Sequence, residues 1–514
     1  MNSKYGTYFL LILAGGIYSL SYPSELGDGW FPLLFVSLPF FLWKLEAAAH
    51  LRQSLLYILC FNLGLNLVGY YWIPQTLQEF GDLPVAVSLV LGLSFSFILQ
   101  PHWWLYALWK KLRPEVDWGS QGGILVTAFV MTMLERYVPQ QFPSYVGSPW
   151  LHLSPYLGLA PVMGVAVFSF FTYWVCLEAV AQIRRKELRA QVWVAFLAFA
   201  VVNALLPLGE MKLAKTLPVR LVQANIGNFL KVASEKGDYN SYEAIKQKYQ
   251  RLSETGNGFE PKLVIWPETA HSDTFSGAQS VLDPIFPSIL SKFDTELLIG
   301  GYDQDPTKSV HDVVETIFNS SILISDGRVK TAYHKNILIP FGETLPFGPF
   351  NRQIISIVPA VSLFARGQGT PLMETKDGLR FVTPICYEIL ESNYMRSLLN
   401  QWKDNHFIVN HTNDSWYGDT AEPHQHLFLS KWRALEFALP IIRSTNTGIS
   451  SVIFPDGSES RRLGVGETAV LDVNVPLGPG HNTVYQLYGA YPLLALFVLL
   501  LLATLVQEKL RKPA

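Results

Sequence analysis

Cysteine and charge are both scarce in this chain of 514 residues. The three cysteines stand apart, in a pattern that matches neither a disulfide framework nor a zinc site, and they are Cys60, Cys176 and Cys386. Charged residues make up 16% of the chain and the formal net charge is -2, so the composition indicates no broad basic surface for nucleic acid. Glu422, His424 and His426 are neighbours, but no familiar ligand spacing completes a metal site around them. We therefore expect no metal, no other cofactor and no nucleic acid partner.

Apolar residues, in contrast, are abundant and are gathered into long runs. Hydrophobic residues make up 49% of the chain. Most of the runs approach the roughly 20 residues that a helix needs to cross a bilayer. We therefore predict a polytopic α-helical membrane domain with about eight spans, of which the second and the fifth are the shortest. The predicted spans are residues 5–22, 30–43, 55–73, 85–109, 122–134, 157–183, 192–208 and 488–506.

The connections between the predicted spans alternate in charge. Every second connection is basic, and these connections carry Lys4; Lys44 and Arg52; Lys110, Lys111 and Arg113; Arg184, Arg185, Lys186 and Arg189; and Lys509, Arg511 and Lys512. The intervening connections 21–28 and 75–84 contain neither lysine nor arginine. Because basic loops remain in the cytoplasm, we expect both termini to be cytoplasmic and the long segment before the last span to lie outside.

The composition changes between residues 213 and 478. Charges become regular there, and short β-rich runs alternate with helix-like segments, which predicts an α/β domain with a mixed sheet. The predicted strands are 219–223, 263–266, 297–300, 321–324, 381–385, 407–410, 441–443 and 451–454, and the clearest helices are 242–255 and 421–438. We therefore expect a transmembrane domain at 1–212 with seven spans, the α/β domain at 213–478 and a C-terminal transmembrane helix at 487–507.

Three chemically useful side chains come at or just beyond the ends of apolar segments in this domain. Cys386 follows the strand 381–385, Glu268 follows the strand 263–266, and Lys335 follows Tyr333 and His334. Each residue alone would more often be a packed thiol or a surface charge. Together they fit nucleophilic acyl chemistry, because a weakly ionised thiol needs a carboxylate base or a nearby cation. The ammonium is also suited to stabilise an oxyanion.

The same residues resemble a known superfamily. The segments Trp266-Pro-Glu268, Tyr333-His-Lys335 and Ile385-Cys-Tyr-Glu388 are similar to the three signature segments of the nitrilase (carbon–nitrogen hydrolase) superfamily, which has a Glu–Lys–Cys triad. The resemblance extends to Leu221-Val-Gln-Ala-Asn225, Pro340-Phe-Gly-Glu343, Arg366-Gly367, Asn413-Asp-Ser-Trp-Tyr-Gly418, Pro423-His-Gln-His426, Arg433-Ala-Leu-Glu436 and Arg443-Ser-Thr-Asn446. With the spans before and after, the chain resembles the apolipoprotein N-acyltransferase family of Gram-negative inner membranes. Val232 departs from it, since many members carry a tryptophan there.

This resemblance implies a fold and a reaction. The fold would be a four-layer αββα sandwich on the outer face of the inner membrane. Cys386 would attack the sn-1 ester of a phospholipid, typically phosphatidylethanolamine, and would form a thioester. The amine of the diacylglyceryl-cysteine at the start of an apolipoprotein would then take the acyl chain. We expect ping-pong kinetics and a monomeric enzyme.

The resemblance also implies roles for individual side chains. Glu268 would be the general base, and Lys335 would hold the oxyanion together with the backbone N–H of Tyr387. Glu343 and Glu388 would orient Lys335 or the incoming amine.

Other residues are candidates for substrate contact. They are Trp416, in one of the family-like segments, and Tyr145 and Trp150, in the predicted outer loop 137–156. Aromatic residues in such a loop belong either to the interfacial belt or to an entrance for lipid. The loop 341–366 is either a lid that dips into lipid, with Ile354, Ile355, Ile357, Val358, Leu363 and Phe364, or a buried connection. For Glu135 and Arg136 we favour a snorkelling pair at the membrane boundary over a functional site.

Two other functions fit part of the pattern. A membrane-anchored carbon–nitrogen hydrolase (amidase) would use the same triad on a small amide, with water as the second nucleophile. A lipoprotein-binding or transport module would need no chemistry, but the presence of Glu268, Lys335 and Cys386 argues against it.

Overall fold

The computed structural model describes residues 3–81, 83–112, 119–208, 215–277, 282–304, 316–340, 342–345, 348–351, 353, 363–478 and 482–511. The chain divides into two compact units. The first, which we call the helical unit, comprises Met1–Pro74, Pro84–Leu208 and Thr483–Ala514. The second, the sheet unit, comprises Gln75–Leu83 and Gly209–Asn482. The predicted boundary between residues 212 and 213 lies outside the described residues, as do Ile354, Ile355, Ile357 and Val358 of the predicted lid.

Helices make up almost all the regular structure of the N-terminal half. They are α1 (Ser3–Ser19), α2 (Leu34–Ala47), α3 (Leu51–Gly69), α4 (Ile73–Gly81), α5 (Val85–Ser94), α6 (Pro101–Leu112), α7 (Gln121–Tyr137), α8 (Ala160–Met163), α9 (Val165–Arg185) and α10 (Ala190–Leu205). Short 3-10 helices add Phe31–Leu33, Phe95–Phe97 and Ser148–Leu153. These elements confirm that the predicted apolar runs are largely helical.

Fewer helices than predicted are long enough to span a membrane by themselves. In the described part of the chain, 3 helices are long and apolar enough, namely Leu51–Gly69, Val165–Arg185 and Tyr491–Lys509. The predicted span 85–109 is instead a pair, Val85–Phe97 and Pro101–Leu112, bent by 43°. The break falls at Gln100, whose φ of 48° is left-handed, and the next helix starts at a proline. The total of eight spans remains a prediction.

Side chains from α3 satisfy the backbone at this break. The Asn62 side-chain amide donates to the carbonyl oxygen of Leu99 at 2.7 Å. The Asn66 amide donates to the carbonyl oxygen of Gly92 at 2.7 Å. An apolar environment offers no water to carbonyls released from a helix, so the protein itself must supply donors. Two buried asparagines on α3 therefore allow the helix pair α5–α6 to bend.

The sheet unit contains the strands. They are β1 (Thr216–Gln223), β2 (Leu263–Ile265), β3 (Thr274–Phe275), β4 (Glu296–Gln304), β5 (Ile317–Ser325), β6 (Arg328–His334), β7 (Met373–Glu374), β8 (Arg380–Val382), β9 (Asn405–Thr412), β10 (Ile441–Thr445), β11 (Ser451–Ile453) and β12 (Ala469–Pro476). A 7-stranded sheet has the order β12-β1-β2-β4-β5-β6, with β3 beside β4. A 5-stranded sheet has the order β11-β10-β9-β8-β7. Both sheets combine parallel and antiparallel pairs, which confirms the predicted mixed sheet.

The two sheets face each other, and helices cover their outer faces. Ser321 on β5 hydrogen-bonds His411 on β9 at 2.9 Å, and Thr445 on β10 donates to Gln223 on β1 at 3.1 Å. The helices of this unit are α11 (Asn228–Glu235), α12 (Tyr239–Ser253), α13 (Ile285–Phe293), α14 (Ser392–Gln401) and α15 (Ala421–Phe437). Apolar side chains of α12 and α13 pack on β1, β2, β4 and β5 as one buried core. Helices α16 (Val484–Tyr488) and α17 (Tyr491–Arg511) return the chain to the helical unit.

One predicted strand is shorter than expected. The run 381–385 continues as β8 only to Val382. Pro384 has no N–H to donate, and the chain leaves the regular ladder there. Ile385 makes only an isolated bridge with His411 before a 3-10 helix, Cys386–Leu390, begins. Strands β6 and β12 were not predicted because polar residues interrupt both runs, Lys330 and Thr331 in β6 and Asp472 and Asn474 in β12.

Candidate active site

The thiol of Cys386 lies on a sharply turned backbone. Its φ is 54°, in the left-handed region that non-glycine residues seldom adopt. The Asn410 side-chain amide, from the end of β9, donates to the carbonyl oxygens of Pro384 at 3.0 Å and Cys386 at 3.2 Å. The residue is only 3% exposed. Such strain persists where the surroundings fix it, and it is frequent at functional sites.

Lys335 lies between two carboxylates. Its Nζ is 3.1 Å from Oε1 of Glu268 and 2.8 Å from Oε1 of Glu343. The lysine side chain is 1% exposed. Burial alone would lower the pKa of Lys335, but these two carboxylates outweigh it and hold the pKa well above the ordinary 10.5. Lys335 is therefore a fixed ammonium at any physiological pH.

The predicted residues Glu268, Lys335 and Cys386 come together around this ammonium. Burial, followed by the negative charge of Glu268, raises the pKa of the Cys386 thiol, and the Lys335 ammonium opposes that rise. The negative charge of Glu343 also raises the pKa of the thiol. A carboxylate, an ammonium and a thiol thus share one buried place, where the thiol is protonated and a base stands near it.

Two asparagines to which the sequence analysis gave no role orient the carboxylates. The Asn319 amide donates to Oε1 of Glu268 at 2.7 Å and to Oε1 of Glu343 at 3.0 Å. The backbone N–H of Asn413 donates to Oε2 of Glu268 at 2.9 Å. Both oxygens of Glu268 are therefore held in place. Asn319 lies in the buried strand β5, where a polar residue gave no local signal of its partners.

Sequence relationships agree with this geometry. Residues 219–480 match the carbon–nitrogen hydrolase family, and residues 14–177 match the apolipoprotein N-acyltransferase N-terminal domain. An apolipoprotein N-acyltransferase of Bdellovibrio bacteriovorus is 31% identical over 453 residues, which cover 83% of this chain and 80% of the relative. One from Haemophilus influenzae is 28% identical over 528 residues, which cover 97% and 94%.

The chain belongs to the apolipoprotein N-acyltransferase family. It is therefore an enzyme, and its bacterial relatives and apolar helices make it a bacterial membrane protein. Among solved structures, a CN-hydrolase superfamily protein from Xanthomonas campestris aligns with a TM-score of 0.37 and 18% identity, over 51% of this chain and 90% of that one.

In this acyltransferase chain, Glu388 acts on the backbone rather than on the lysine ammonium. Its carboxylate accepts hydrogen bonds from the backbone N–H groups of Asn336, Ile337 and Ile385 and from the hydroxyl of Tyr333. Burial raises the pKa of Glu388, and these bonds oppose the rise. The carboxylate thus ties the turn after Lys335 to the residue before Cys386. Glu343, in contrast, contacts Lys335 directly, as predicted for a supporting carboxylate.

A second buried ammonium lies beside Glu268. Lys231, on α11, donates to the hydroxyl of Thr269, the residue after Glu268, and its Nζ is 3.8 Å from Glu235. Burial lowers the pKa of Lys231, and the charges of Glu235, Glu268 and Glu343 oppose that change. The sequence analysis placed no function on it.

The acyltransferase residues proposed for substrate contact differ in their surroundings. Trp416 is half-buried, and its carbonyl oxygen accepts a hydrogen bond from Thr76 at 3.4 Å. Tyr145 and Trp150 are buried in the helical unit. The Trp150 indole N–H donates to Thr172 at 2.9 Å, and its ring packs among phenylalanines. Trp150 and Tyr145 therefore have packing roles, and their contact with substrate remains a prediction.

The expectation that Glu135 and Arg136 snorkel at a boundary is wrong. Both are buried in the helical unit. Glu135 accepts a hydrogen bond from the backbone N–H of Val146 at 2.6 Å, and Arg136 donates to the hydroxyl of Tyr485 at 2.9 Å. Glu135 thus holds the segment that follows α7, and Arg136 contacts α16, instead of reaching for water.

Residues able to hold a metal are grouped differently from the sequence neighbours. Ligand atoms of Asp414, Glu422 and His426 lie within 4.8 Å of one another, and all three residues are buried. His424 points elsewhere, with Nε2 3.9 Å from Asp419. The sequence analysis named Asp414 only within the family-like segment 413–418, because its contacts with Glu422 and His426 depend on how the chain folds between residues 414 and 422.

Proposed function

We propose that this enzyme transfers an acyl chain from the sn-1 position of a phospholipid to the amine of the diacylglyceryl-cysteine that begins an apolipoprotein. Phosphatidylethanolamine is the proposed donor, and the acyl chain passes through a thioester on Cys386. The observation that carries the proposal is the Lys335 ammonium, fixed between Glu268 and Glu343 beside a buried thiol.

The first half of the reaction acylates the enzyme. Glu268 accepts the thiol proton as the sulfur of Cys386 bonds to the ester carbonyl carbon. The carbonyl oxygen becomes an oxyanion, which the Lys335 ammonium and the backbone N–H of Tyr387 stabilise. When the intermediate collapses, the ester C–O bond breaks, and Glu268 returns the proton to the departing oxygen. The products are the acyl-enzyme and a lysophospholipid.

The second half of the reaction regenerates the thiol. The neutral amine of the lipoprotein attacks the thioester carbonyl carbon, and Glu268 accepts a proton from the nitrogen. The C–S bond then breaks, and the sulfur regains the proton. Because Cys386 is only 3% exposed, water has little access to the thioester, which favours transfer to the amine over hydrolysis.

The alternating basic connections support a location for this chemistry. We propose that the sheet unit lies on the outer side of the inner membrane and that both termini are cytoplasmic. Both substrates carry lipid anchors, so a site in a membrane-bound enzyme receives them from the same bilayer.

The proposal is tested by trapping the acyl-enzyme. Purified enzyme is incubated with phosphatidylethanolamine that carries a labelled sn-1 chain, and the peptide with Cys386 is analysed by mass spectrometry. We expect one added acyl chain, which disappears when a diacylglyceryl-cysteine peptide is supplied. Cys386→Ala should carry no label, and Glu268→Gln should acylate on the order of 10² to 10⁴ times more slowly.

Unlabelled wild-type enzyme under these conditions would refute the phospholipid donor. Release of free fatty acid in place of the N-acylated peptide would instead support a hydrolase. Rapid hydrolysis of a small amide, with no acylation of Cys386 by the phospholipid, would identify the amidase alternative.

A further inference from the structure

Three buried ionisable side chains lie behind the turn that carries the thiol. Asp414, Glu422 and His426 are each at most 2% exposed. Nδ1 of His426 is 3.6 Å from Oδ1 of Asp414 and 3.5 Å from Oε1 of Glu422. Neither ring nitrogen of His426 has a closer hydrogen-bond partner in the described part of the chain. The histidine therefore stands between two carboxylates, and the reaction steps above use none of the three residues.

This group contacts the residue next to the nucleophile. The hydroxyl of Tyr387 donates to Oε1 of Glu422. The ring of Tyr387 stacks on the ring of His426, with centroids 4.4 Å apart and planes at 7°. Both the polar end and the face of the Tyr387 side chain are thus fixed by the same pair of residues.

Asp414, at the other end of the group, is also connected to the turn that carries Cys386. Arg443 donates to Oδ2 of Asp414 at 3.2 Å and to the Asn410 side chain at 2.6 Å. Asn410 in turn donates to the carbonyl oxygen of Cys386 at 3.2 Å. The network therefore holds the peptide between Cys386 and Tyr387 from both sides, although its members are far apart in sequence.

Charge balance favours a shared proton over a metal ion in this group. The Arg443 guanidinium neutralises Asp414, which leaves Glu422 to be balanced. Burial, followed by the charge of Asp414, raises the pKa of Glu422, so a single proton on the Glu422–His426 pair makes the buried group neutral. A divalent cation would leave one unbalanced positive charge beside Arg443, and an unpaired buried charge is costly.

We propose that Asp414, His426 and Glu422 form a positioning triad for Tyr387 and thereby fix the backbone N–H that meets the oxyanion. The proposal deepens the proposed function and rests on its assignment of that N–H. An oxyanion donor must be held about 2.7–3.1 Å from a position that the oxygen reaches only in the transition state. The Tyr387 side chain is held at both its ring and its hydroxyl, and this constrains the backbone N–H of the same residue.

The test measures acylation of Cys386 in single turnover with labelled phosphatidylethanolamine, over a range of donor concentrations. Glu422→Gln and Tyr387→Phe should each slow acylation on the order of 10-fold to 100-fold, because small displacements of catalytic groups have effects of this size. The donor concentration at half-maximal rate should not change. The double variant should be no slower than the slower single variant, because both changes break the same contact.

Glu436→Gln is the matched control. Glu436 is also a fully buried glutamate on α15, but it pairs with Arg433 at 3.1 Å and Ser392 at 3.1 Å. We expect Glu436→Gln to lower the unfolding temperature, as Glu422→Gln does, and to leave the acylation rate within about 2-fold of wild type, since its partners Arg433 and Ser392 do not belong to the group formed by Asp414, Glu422 and His426. Equal loss of rate in both variants would show that the effect is only structural and would overturn the proposal.

Two further outcomes are decisive. Multiplied losses in the double variant would show that Tyr387 and Glu422 act independently, which would also overturn the triad. One equivalent of divalent metal bound to wild type and lost in His426→Gln would make the group a metal site instead.

A p-nitrophenyl ester of a fatty acid separates this proposal from the proposed function. Its acyl transfer to Cys386 needs the same oxyanion contact but no phospholipid. Wild-type enzyme that reacts with the ester and not with the phospholipid refutes the donor alone, and the same variants then test the triad on the ester. Wild-type enzyme that reacts with neither refutes both.

Discussion

The thiol of Cys386 is protonated rather than half of a thiolate–ammonium pair. Burial and the charge of Glu268 raise its pKa more than the Lys335 ammonium lowers it. Lys335 instead forms ion pairs with Glu268 and Glu343. Under the proposed function, attack by the thiol therefore requires proton transfer to Glu268, whose carboxylate is held by Asn319 and Asn413.

The pH dependence of alkylation tests this protonation state. With its pKa above the ordinary 9.0, Cys386 becomes a thiolate only as the pH rises past that value. We expect its alkylation by iodoacetamide to increase steadily from pH 6 to pH 9 with no plateau. Glu268→Gln removes a charge that raises this pKa, so it should speed alkylation at pH 8 while slowing acyl transfer. A plateau near neutral pH would indicate a resting thiolate.

Gly300 on β4 makes room for Glu268, the proposed base. A Cβ at this position would lie 2.2 Å from the carbonyl oxygen of Pro267 and 2.6 Å from Cα of Glu268. Gly300→Ala should displace the Glu268 turn, slow acylation on the order of 10²-fold and reduce the free energy of unfolding by about 1–3 kcal/mol.

Gly301→Ala is the control for this prediction. The nearest atom to a Cβ at Gly301 is the carbonyl oxygen of His271, at an ordinary 3.5 Å. Single-turnover acylation and thermal unfolding of both variants are the measurements. Equal activities would mean that the turn tolerates the methyl group and that Glu268 is not held where we place it.

At the scale of elements, the site forms where strand ends from both sheets meet. Glu268 comes three residues after β2 ends and Lys335 directly after β6, both in the 7-stranded sheet. Strands β4 and β5 lie between them, and Asn319 on β5 bridges Glu268 to Glu343. Cys386 comes from beyond β8 in the 5-stranded sheet. The order of strands in the sheets, rather than the order in the chain, brings the three residues together.

In the helical unit, the contact between α1 and α3 depends on glycine. A Cβ on Gly15 would lie 1.9 Å from the carbonyl oxygen of Phe61, and one on Gly64 would lie 1.8 Å from that of Ile12. Small residues let membrane helices approach closely. Gly15→Ala should therefore lower the free energy of unfolding in detergent by about 1–3 kcal/mol.

Gly6→Ala, on the same helix, is the matched change because no atom of the described residues lies within 4 Å of a Cβ there. It should leave the unfolding temperature unchanged or slightly raise it, since alanine favours helix more than glycine does. Similar unfolding temperatures for Gly6→Ala and Gly15→Ala would contradict a close α1–α3 contact.

For the whole molecule, orientation in the membrane decides which substrates reach the site. The alternation of basic and uncharged connections predicts that the sheet unit is outside and that the termini are inside. Pairs of fusions that flank the last predicted span test this. Alkaline phosphatase fused after residue 478 should be active, and green fluorescent protein fused after residue 511 should fluoresce. The reverse pattern would place the thiol on the cytoplasmic side and refute the proposed acceptor.

The sequence alone determined the apolar runs, the mixed α/β domain and the candidates Glu268, Lys335 and Cys386, because periodicity, charge and strand ends are local features. Only the tertiary structure decided that a predicted span breaks at Gln100, and that Asn319 and Asp414 belong beside the site. These residues look like ordinary buried polar groups in the chain. Asn319 bonds to Glu268, 51 residues away, and Asp414 to Arg443, 29 residues away, and a hydrogen bond depends on that final geometry rather than on neighbours in sequence.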